Sequence, residues 1–184
     1  MLIRVRDLEA EALQFEREFA PGQIDFGADM QQRTPLHAEG HAELIEERSH
    51  GVKETIKDIR LQGSFRGEVE VQCARCLEPV KRPVEAQFDL LYRPLGAVKR
   101  DDEVSISEAE TEVGFYKGDG LALEDVLREQ VLLAVPVKAV CREDCRGLCP
   151  HCGQNLNQGK CGCAPANADP RWNALRDIRD KLEG

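Results

Sequence analysis

Eight cysteines are the residues of this chain best suited to chemistry, and their spacing points to metal. Six form the run Cys141-x3-Cys145-x3-Cys149-x2-Cys152-x8-Cys161-x-Cys163, and two more stand upstream as Cys73-x2-Cys76. A structural zinc ion takes four thiolate or imidazole ligands in a tetrahedron, so eight thiols make two sets. Both sulfurs of a Cys-x2-Cys loop can reach one ion ~2.3 Å away while the loop's amides hydrogen-bond the thiolates. The partition preferred on spacing puts Cys149, Cys152, Cys161 and Cys163 around one zinc, with Gly153 and Gly162 giving tight turns. Cys73, Cys76, Cys141 and Cys145 then form the other site and tie the upstream pair to the start of the C-terminal run. A single zinc with spare thiols is the alternative, and Cys73 could also serve as a small buried hydrophobe. His151 lies inside the Cys149–Cys152 loop, but four cysteines already complete the tetrahedron, so it reads as a solvent-facing turn residue.

Catalytic patterns are weak by comparison. His37-Ala38-Glu39 and His41-Ala42-Glu43 each match the H-x-E half of a zinc deaminase signature, whose other half is P-C-x-x-C. Here proline follows the cysteine, in Cys149-Pro150-His151-Cys152, and both H-x-E copies fall on a strand-like alternation. A thiol oxidoreductase places C-x-x-C at a helix N-terminus, whereas Cys73-x2-Cys76 joins two strand-like runs. No P-loop, G-x-S-x-G or H-E-x-x-H occurs. The expectation is a protein that is not an enzyme, with no small-molecule substrate implied.

The elements that must position the thiols follow from periodicity. From Ile59 to Cys73 the apolar and small residues share one parity (Ile59, Leu61, Phe65, Val69, Val71), and the alternation resumes at Val80, Val84, Ala86, Phe88, Leu90 and Tyr92. This predicts a long hairpin over 59–92 with Cys73-Ala74-Arg75-Cys76 at its tip. Leu36, Ala38, Gly40, Ala42 and Leu44 predict an earlier strand. Residues 96–120 read as an exposed acidic loop. Leu123, Val126, Leu127, Val131 and Ala134 then predict a core-packing helix over 123–134, ended by Pro136.

Residues 141–163 hold almost no apolar side chain beyond Leu148 and Leu156, so burial cannot offset the entropy of ordering them. Metal binding, worth about 10–16 kcal/mol in zinc-finger peptides, can. Asp169 and Pro170 suit the start of a terminal helix with Trp172, Leu175, Ile178 and Leu182 on one face. The predicted fold is α+β: an antiparallel β-sheet or partly open barrel with a long hairpin, one core helix, a C-terminal zinc-binding module and a terminal helix. Two domains are expected, a β-rich core over 1–136 and the cysteine-rich module with its helix over 137–184.

Charge is uneven along the 184 residues. The net charge is −9, yet residues 137–184 carry 8 Lys and Arg against 6 Asp and Glu, while residues 1–136 carry 17 against 28. An acidic body repels phosphate at long range, so contact with nucleic acid would be local or supplied by a partner. The N-terminal residues lack the apolar core of a secretory signal, and no stretch reaches membrane-spanning length, so a cytoplasmic location without membrane contact is expected.

Cys73-Ala74-Arg75-Cys76-Leu77-Glu78-Pro79, the run Cys141-Arg142-Glu143-Asp144-Cys145-Arg146-Gly147-Leu148-Cys149-Pro150-His151-Cys152-Gly153-Gln154-Asn155-Leu156-Asn157, then Cys161-Gly162-Cys163 and Asp169-Pro170-Arg171-Trp172, together resemble the YceD family, associated with accumulation of large-subunit ribosomal RNA. The resemblance runs from about Leu36 to the C-terminus. Some members keep the C-x-R-C tip and lose the knuckle matching Cys149, Cys152, Cys161 and Cys163, which marks those four as a separable unit. The resemblance implies a non-enzymatic role in making or protecting large ribosomal RNA, with ribosomal RNA or a ribosome-assembly protein as partner. Arg142, Arg146, Lys160, Arg171, Arg176 and Arg179 are the candidate contacts, and an ordinary solvated surface is their other reading. A protein-interaction adaptor that recruits a processing enzyme through the hairpin sheet and Asp101-Asp102-Glu103 is the alternative role.

Overall fold

In the computed structural model, described for residues 1–48, 55–96 and 113–163 and for Ile178, strands dominate. In chain order the elements are β1 (Leu2–Arg4), α1 (Val5–Leu8), β2 (Leu13–Phe19), β3 (Met30–Gln32), β4 (Leu36–Arg48), β5 (Thr55–Gln72), β6 (Pro79–Pro94), β7 (Val113–Tyr116), β8 (Gly120–Ala122) and α2 (Leu123–Ala134).

The main sheet runs β2-β4-β5-β6-β7, with β3 beside β5 past the end of β4, and β1 pairs β8 in a separate ribbon. All pairs are antiparallel except β6–β7. Among the described residues the sheet is open, with β2 and β7 as its edges, so the open-sheet form of the α+β expectation applies. The hairpin registers Ile59 on Tyr92 and Gln72 on Pro79, in agreement with the alternation.

One parity of each strand builds the core: Leu36, Ala38 and Ala42 from β4, Ile59, Leu61, Phe65 and Val69 from β5, Val84, Phe88 and Tyr92 from β6. The other parity faces outward and carries His37, Glu39, Arg60, Gln62, Glu85 and Asp89. Across the middle, Phe15, Gly40, Gly63 and Phe88 lie in register on four adjacent strands. A Cβ on Gly40 would come within 2.2 Å of the Gln62 carbonyl oxygen and 2.9 Å of the Phe15 ring, and one on Gly63 within 2.9 Å of the Phe88 ring. The two glycines thus let both rings lie over backbone.

Helix α2 packs Leu123, Val126, Leu127 and Val131 on this core. Its first turn holds Glu124 and Asp125, the charge sign its N-terminal dipole favours, and Glu124 accepts from the chain's N-terminal ammonium. Val135 is extended, as a residue before proline must be, so the helix stops where Pro136 requires.

Two expectations need correction. The stretch read as an acidic loop over 96–120 contains β7 and β8; Gly114 lies against the Tyr92 ring and the Tyr116 hydroxyl donates to the Lys57 carbonyl at 2.8 Å. Its part over 97–112, with Asp101, Asp102 and Glu103, lies outside the described residues. Ala134 is exposed, as are Leu132 and Leu133, so the fully buried face of α2 ends at Val131. The first 35 residues, from which no element was read, add β1, α1, β2 and β3 and put Ile3, Phe15, Phe19, Ile24, Phe26 and Met30 into the core. The terminal helix expected from Asp169 to Leu182 lies outside the described residues except for Ile178, which is helical and exposed.

Candidate metal centre

The ladder of β5 and β6 ends at Cys73, whose amide donates to the Glu78 carbonyl at 2.9 Å. The chain reverses through 73–78, and the Leu77 amide returns to the Cys73 carbonyl at 3.0 Å. Residues 139–148 lie against this tip: the Ala74 amide donates to Ala139 O at 2.7 Å, and the Leu148 amide to Arg75 O at 3.1 Å. Cys73, Cys76 and Cys145 form a small second core with Val80, Val140 and Leu148. The start of the cysteine-rich run thereby rests on the hairpin tip.

The eight thiols fall into two quartets, Cys73/Cys76/Cys141/Cys145 and Cys149/Cys152/Cys161/Cys163, with the sulfurs of each within 4.8 Å of one another. This is the grouping that spacing favours. In the first quartet Cys73 and Cys145 are 3.9 Å apart at Sγ, and Cys76 and Cys141 are 3.7 Å apart. A tetrahedron with metal–sulfur bonds of ~2.3 Å has edges of about 3.8 Å, so the spacing fits a zinc-sized ion.

Donors point at the sulfurs as they do around metal-bound thiolates. The amides of Arg75 and Cys141 donate to Cys73 Sγ at 3.5 and 3.4 Å, and Asn157 Nδ2 donates to Cys145 Sγ at 3.3 Å. Burial pushes the Cys73 thiol up, but the amides of Arg75, Cys76 and Cys141 outweigh it and bring it down to about 6. The Asn157 amide lowers Cys145. Cys141 is driven up to about 12 by desolvation of its sulfur and by the thiols of Cys145, Cys76 and Cys73. Part of the quartet therefore ionises readily, and a bound cation would draw the remaining protons off.

The second quartet repeats the same turn. The Gly153 amide donates to Cys149 O at 2.9 Å, as Leu77 does to Cys73, and both turn residues have positive φ, 72° at Gly153 and 62° at Leu77. The amides of Cys152 and His151 hold Cys149 down at about 6, while the Cys152 thiol and desolvation push Cys163 up to about 12. Cys149 is buried, whereas Cys152 and Cys163 are exposed. His151 is exposed and belongs to neither quartet.

Other sequence candidates fall elsewhere. His37 and Glu39 lie on the outer face of β4, where Glu16 and Glu39 each approach His37 Nε2 at 3.9 Å; among the described residues neither H-x-E copy shares a ligand set with a cysteine. Arg146 and Lys160 are exposed. Arg142 is exposed too, but its guanidinium is engaged by Asn157 Oδ1 at 2.9 Å and Asp144 at 3.3 Å. Arg171, Arg176 and Arg179 lie outside the described residues.

Sequence reasoning passed over the residues that brace the tip. Arg75 donates to the carbonyls of Glu143 and Cys145 at 2.8 and 3.0 Å, and Arg82 to that of Val140 at 2.6 Å. Asn155 Nδ2 reaches Glu78 at 3.1 Å. Arg75, Asn155 and Asn157 sit inside the cysteine motifs, which was the available signal.

The fold and the two quartets define an α+β sheet protein with a pair of four-thiol centres suited to a soft or borderline metal. The model of the family described as large ribosomal RNA subunit accumulation protein YceD matches residues 61–179, and the chain belongs to that family. An uncharacterized protein of Mycobacterium bovis is 32% identical over 127 residues, 69% of this chain and 58% of its own length. The large ribosomal RNA subunit accumulation protein YCED homolog 1, chloroplastic, of Arabidopsis thaliana is 26% identical over 149 residues, 69% of this chain and 46% of its own. The protein of the same name in Zea mays is 29% identical over 132 residues, 59% of this chain and 45% of its own. The chain thus spans about half the length of the curated relatives it matches. No solved structure matches it. No helix among the described residues is long and apolar enough to cross a membrane.

Proposed function

We propose that this protein is a non-enzymatic factor supporting synthesis, processing or accumulation of large-subunit ribosomal RNA in the cytoplasm, with two zinc ions as structural elements. The observation that carries the reading is the pair of all-sulfur quartets in a chain of this family: four thiolates fill a zinc tetrahedron and leave no open position for a substrate. Zinc in each quartet would neutralise thiolate charge and cross-link chain segments that have little apolar core of their own. The family model's description and the names of the two plant relatives supply the link to ribosomal RNA.

In this reading the weakly basic cysteine-rich module meets RNA or a ribosomal protein through exposed Arg146 and Lys160, with Arg142, Arg171, Arg176 and Arg179 as further contacts. Crosslinking in cells, with sequencing of attached RNA, tests the assignment: enrichment of one region of large-subunit ribosomal RNA is expected. Retained proteins without RNA after RNase treatment would favour the adaptor reading. The mainly acidic outer face of the sheet, with Glu16, Glu18, Glu39, Glu85 and Asp89, suits that alternative, since it would attract a basic protein and repel RNA.

In a purified system, Arg146→Glu with Lys160→Glu should weaken RNA binding and reduce the slope of log affinity against log salt by about 1.4–1.8, as for two lost phosphate contacts. Zinc content should stay unchanged. An unaltered slope in the zinc-loaded double variant would remove these two residues from the interface.

A further inference from the structure

The two quartets are joined by side chains that belong to neither. Cys152 and Cys161 of the second quartet bracket a loop of eight residues, Gly153 to Lys160, and that loop folds back over the first quartet. Asn157, inside the loop, donates from Nδ2 to Cys145 Sγ at 3.3 Å. Its Oδ1 accepts from the Arg146 amide at 2.8 Å and from Arg142 at 2.9 Å. The Asn157 amide donates to Asn155 Oδ1 at 3.0 Å, and the Leu156 amide to the Gly147 carbonyl at 2.9 Å. Asn155 reaches Glu78 on the hairpin at 3.1 Å. The second quartet thus closes a loop whose midpoint is hydrogen-bonded to a ligand-type sulfur of the first.

Resting on the metal-binding reading above, we infer that the two centres are thermodynamically coupled, with Asn157 as the positioning residue that lets a metal ion in the second quartet tighten binding in the first. Without an ion in the second quartet, the loop is held by few apolar contacts, and ordering Asn157 against Cys145 costs backbone entropy at each loop residue. An ion that joins Cys152 to Cys161 meets that cost beforehand, so the hydrogen bond to Cys145 forms with less penalty. Groups that hydrogen-bond metal ligands typically change affinity by about 10–100-fold when removed. Linkage requires the effect to be mutual: the first ion strengthens the second by the same factor.

A four-variant cycle on the full chain tests this, using wild type, Cys161→Ser with Cys163→Ser, Asn157→Ala, and the triple variant. Zinc affinity of the first quartet is read by chelator competition, and its ligand environment by cadmium-113 resonances. Removal of the second quartet should weaken the first by roughly ten-fold or more, and Asn157→Ala should do so with both quartets intact while shifting the first quartet's cadmium resonance. In the Asn157→Ala background, loss of the second quartet should cost the first nothing further. The coupling is overturned if wild type binds two ions yet the first quartet's affinity changes by less than about two-fold in either variant, or if the loss is equal in both backgrounds. Wild type that binds fewer than two ions overturns the metal-binding reading itself and the coupling with it.

Discussion

At the scale of single residues, the two Cys-x2-Cys turns differ where it is informative. Each donates the amide of the residue after its second cysteine back to the first, and each needs positive φ there; the distal turn uses Gly153, the hairpin tip Leu77. A left-handed conformation costs a residue with Cβ about 1–2 kcal/mol, and Leu77 recovers little by burial because it is 56% exposed. Glycine removes that strain but adds about 0.5–1 kcal/mol of unfolded-state entropy. Leu77→Gly should therefore leave the stability of the zinc-loaded protein unchanged or raise it by up to about 1 kcal/mol in chemical denaturation. A loss larger than that would mean that the Leu77 side chain packs on something in solution. The reverse change, Gly153→Leu, carries the same strain less the same entropy and should destabilise by up to about 1 kcal/mol.

At the scale of elements, β5 and β6 are held at their far end by an ion pair. Asp58 is 1% exposed, and Arg93 donates to it from Nε at 3.1 Å and from its terminal nitrogen at 2.7 Å. Breaking a buried pair by removing one member costs about 3–5 kcal/mol, because the remaining charge is stranded. Arg93→Met should lower unfolding free energy by that amount, measured by urea titration at pH 7, and zinc content of the folded fraction should stay at the wild-type value because the tip lies at the hairpin's other end. In the middle of the same sheet, the Gly40–Gly63 pair leaves no room for a methyl group. Gly40→Ala pushes a carbon onto the Gln62 carbonyl and the Phe15 ring, and a cost of about 1–3 kcal/mol is expected from the forced shift of the β5 backbone and of that ring. A variant as stable as wild type would show that β4 and β5 part freely.

At the scale of the whole molecule, two cores of different kinds coexist. One is apolar and lies between the sheet and α2; the other, at the hairpin tip, holds three cysteines and few aliphatic side chains. Chelation of metal should therefore release 139–163 to fast amide exchange while β4, β5 and β6 stay protected, as hydrogen exchange can record residue by residue. Concerted loss of protection throughout the sheet would instead make metal part of the global fold. Much of this plan is legible in the sequence. The period-two alternation of 59–73 and 80–92 determines the hairpin, since a strand with one buried face must alternate. The spacing of Leu123, Val126, Leu127 and Val131 determines α2, and counting thiols in a segment without apolar residues leads to two quartets. Short elements escape such reading: β1, β3, β7 and β8 have three or four residues each, too few for a period; β3 and β7 lie along edges that the longer β5 and β6 offer, and β1 and β8 pair with each other. Which cysteines share a centre was suggested by spacing, but only tertiary structure could bring Cys73 and Cys145 to 3.9 Å, because the contact spans 72 residues of chain. The same holds for Asn157 beside Cys145 and for Arg75 beneath Glu143: local pattern reports which face of an element is buried, whereas the partner across a turn is set by how separate segments pack.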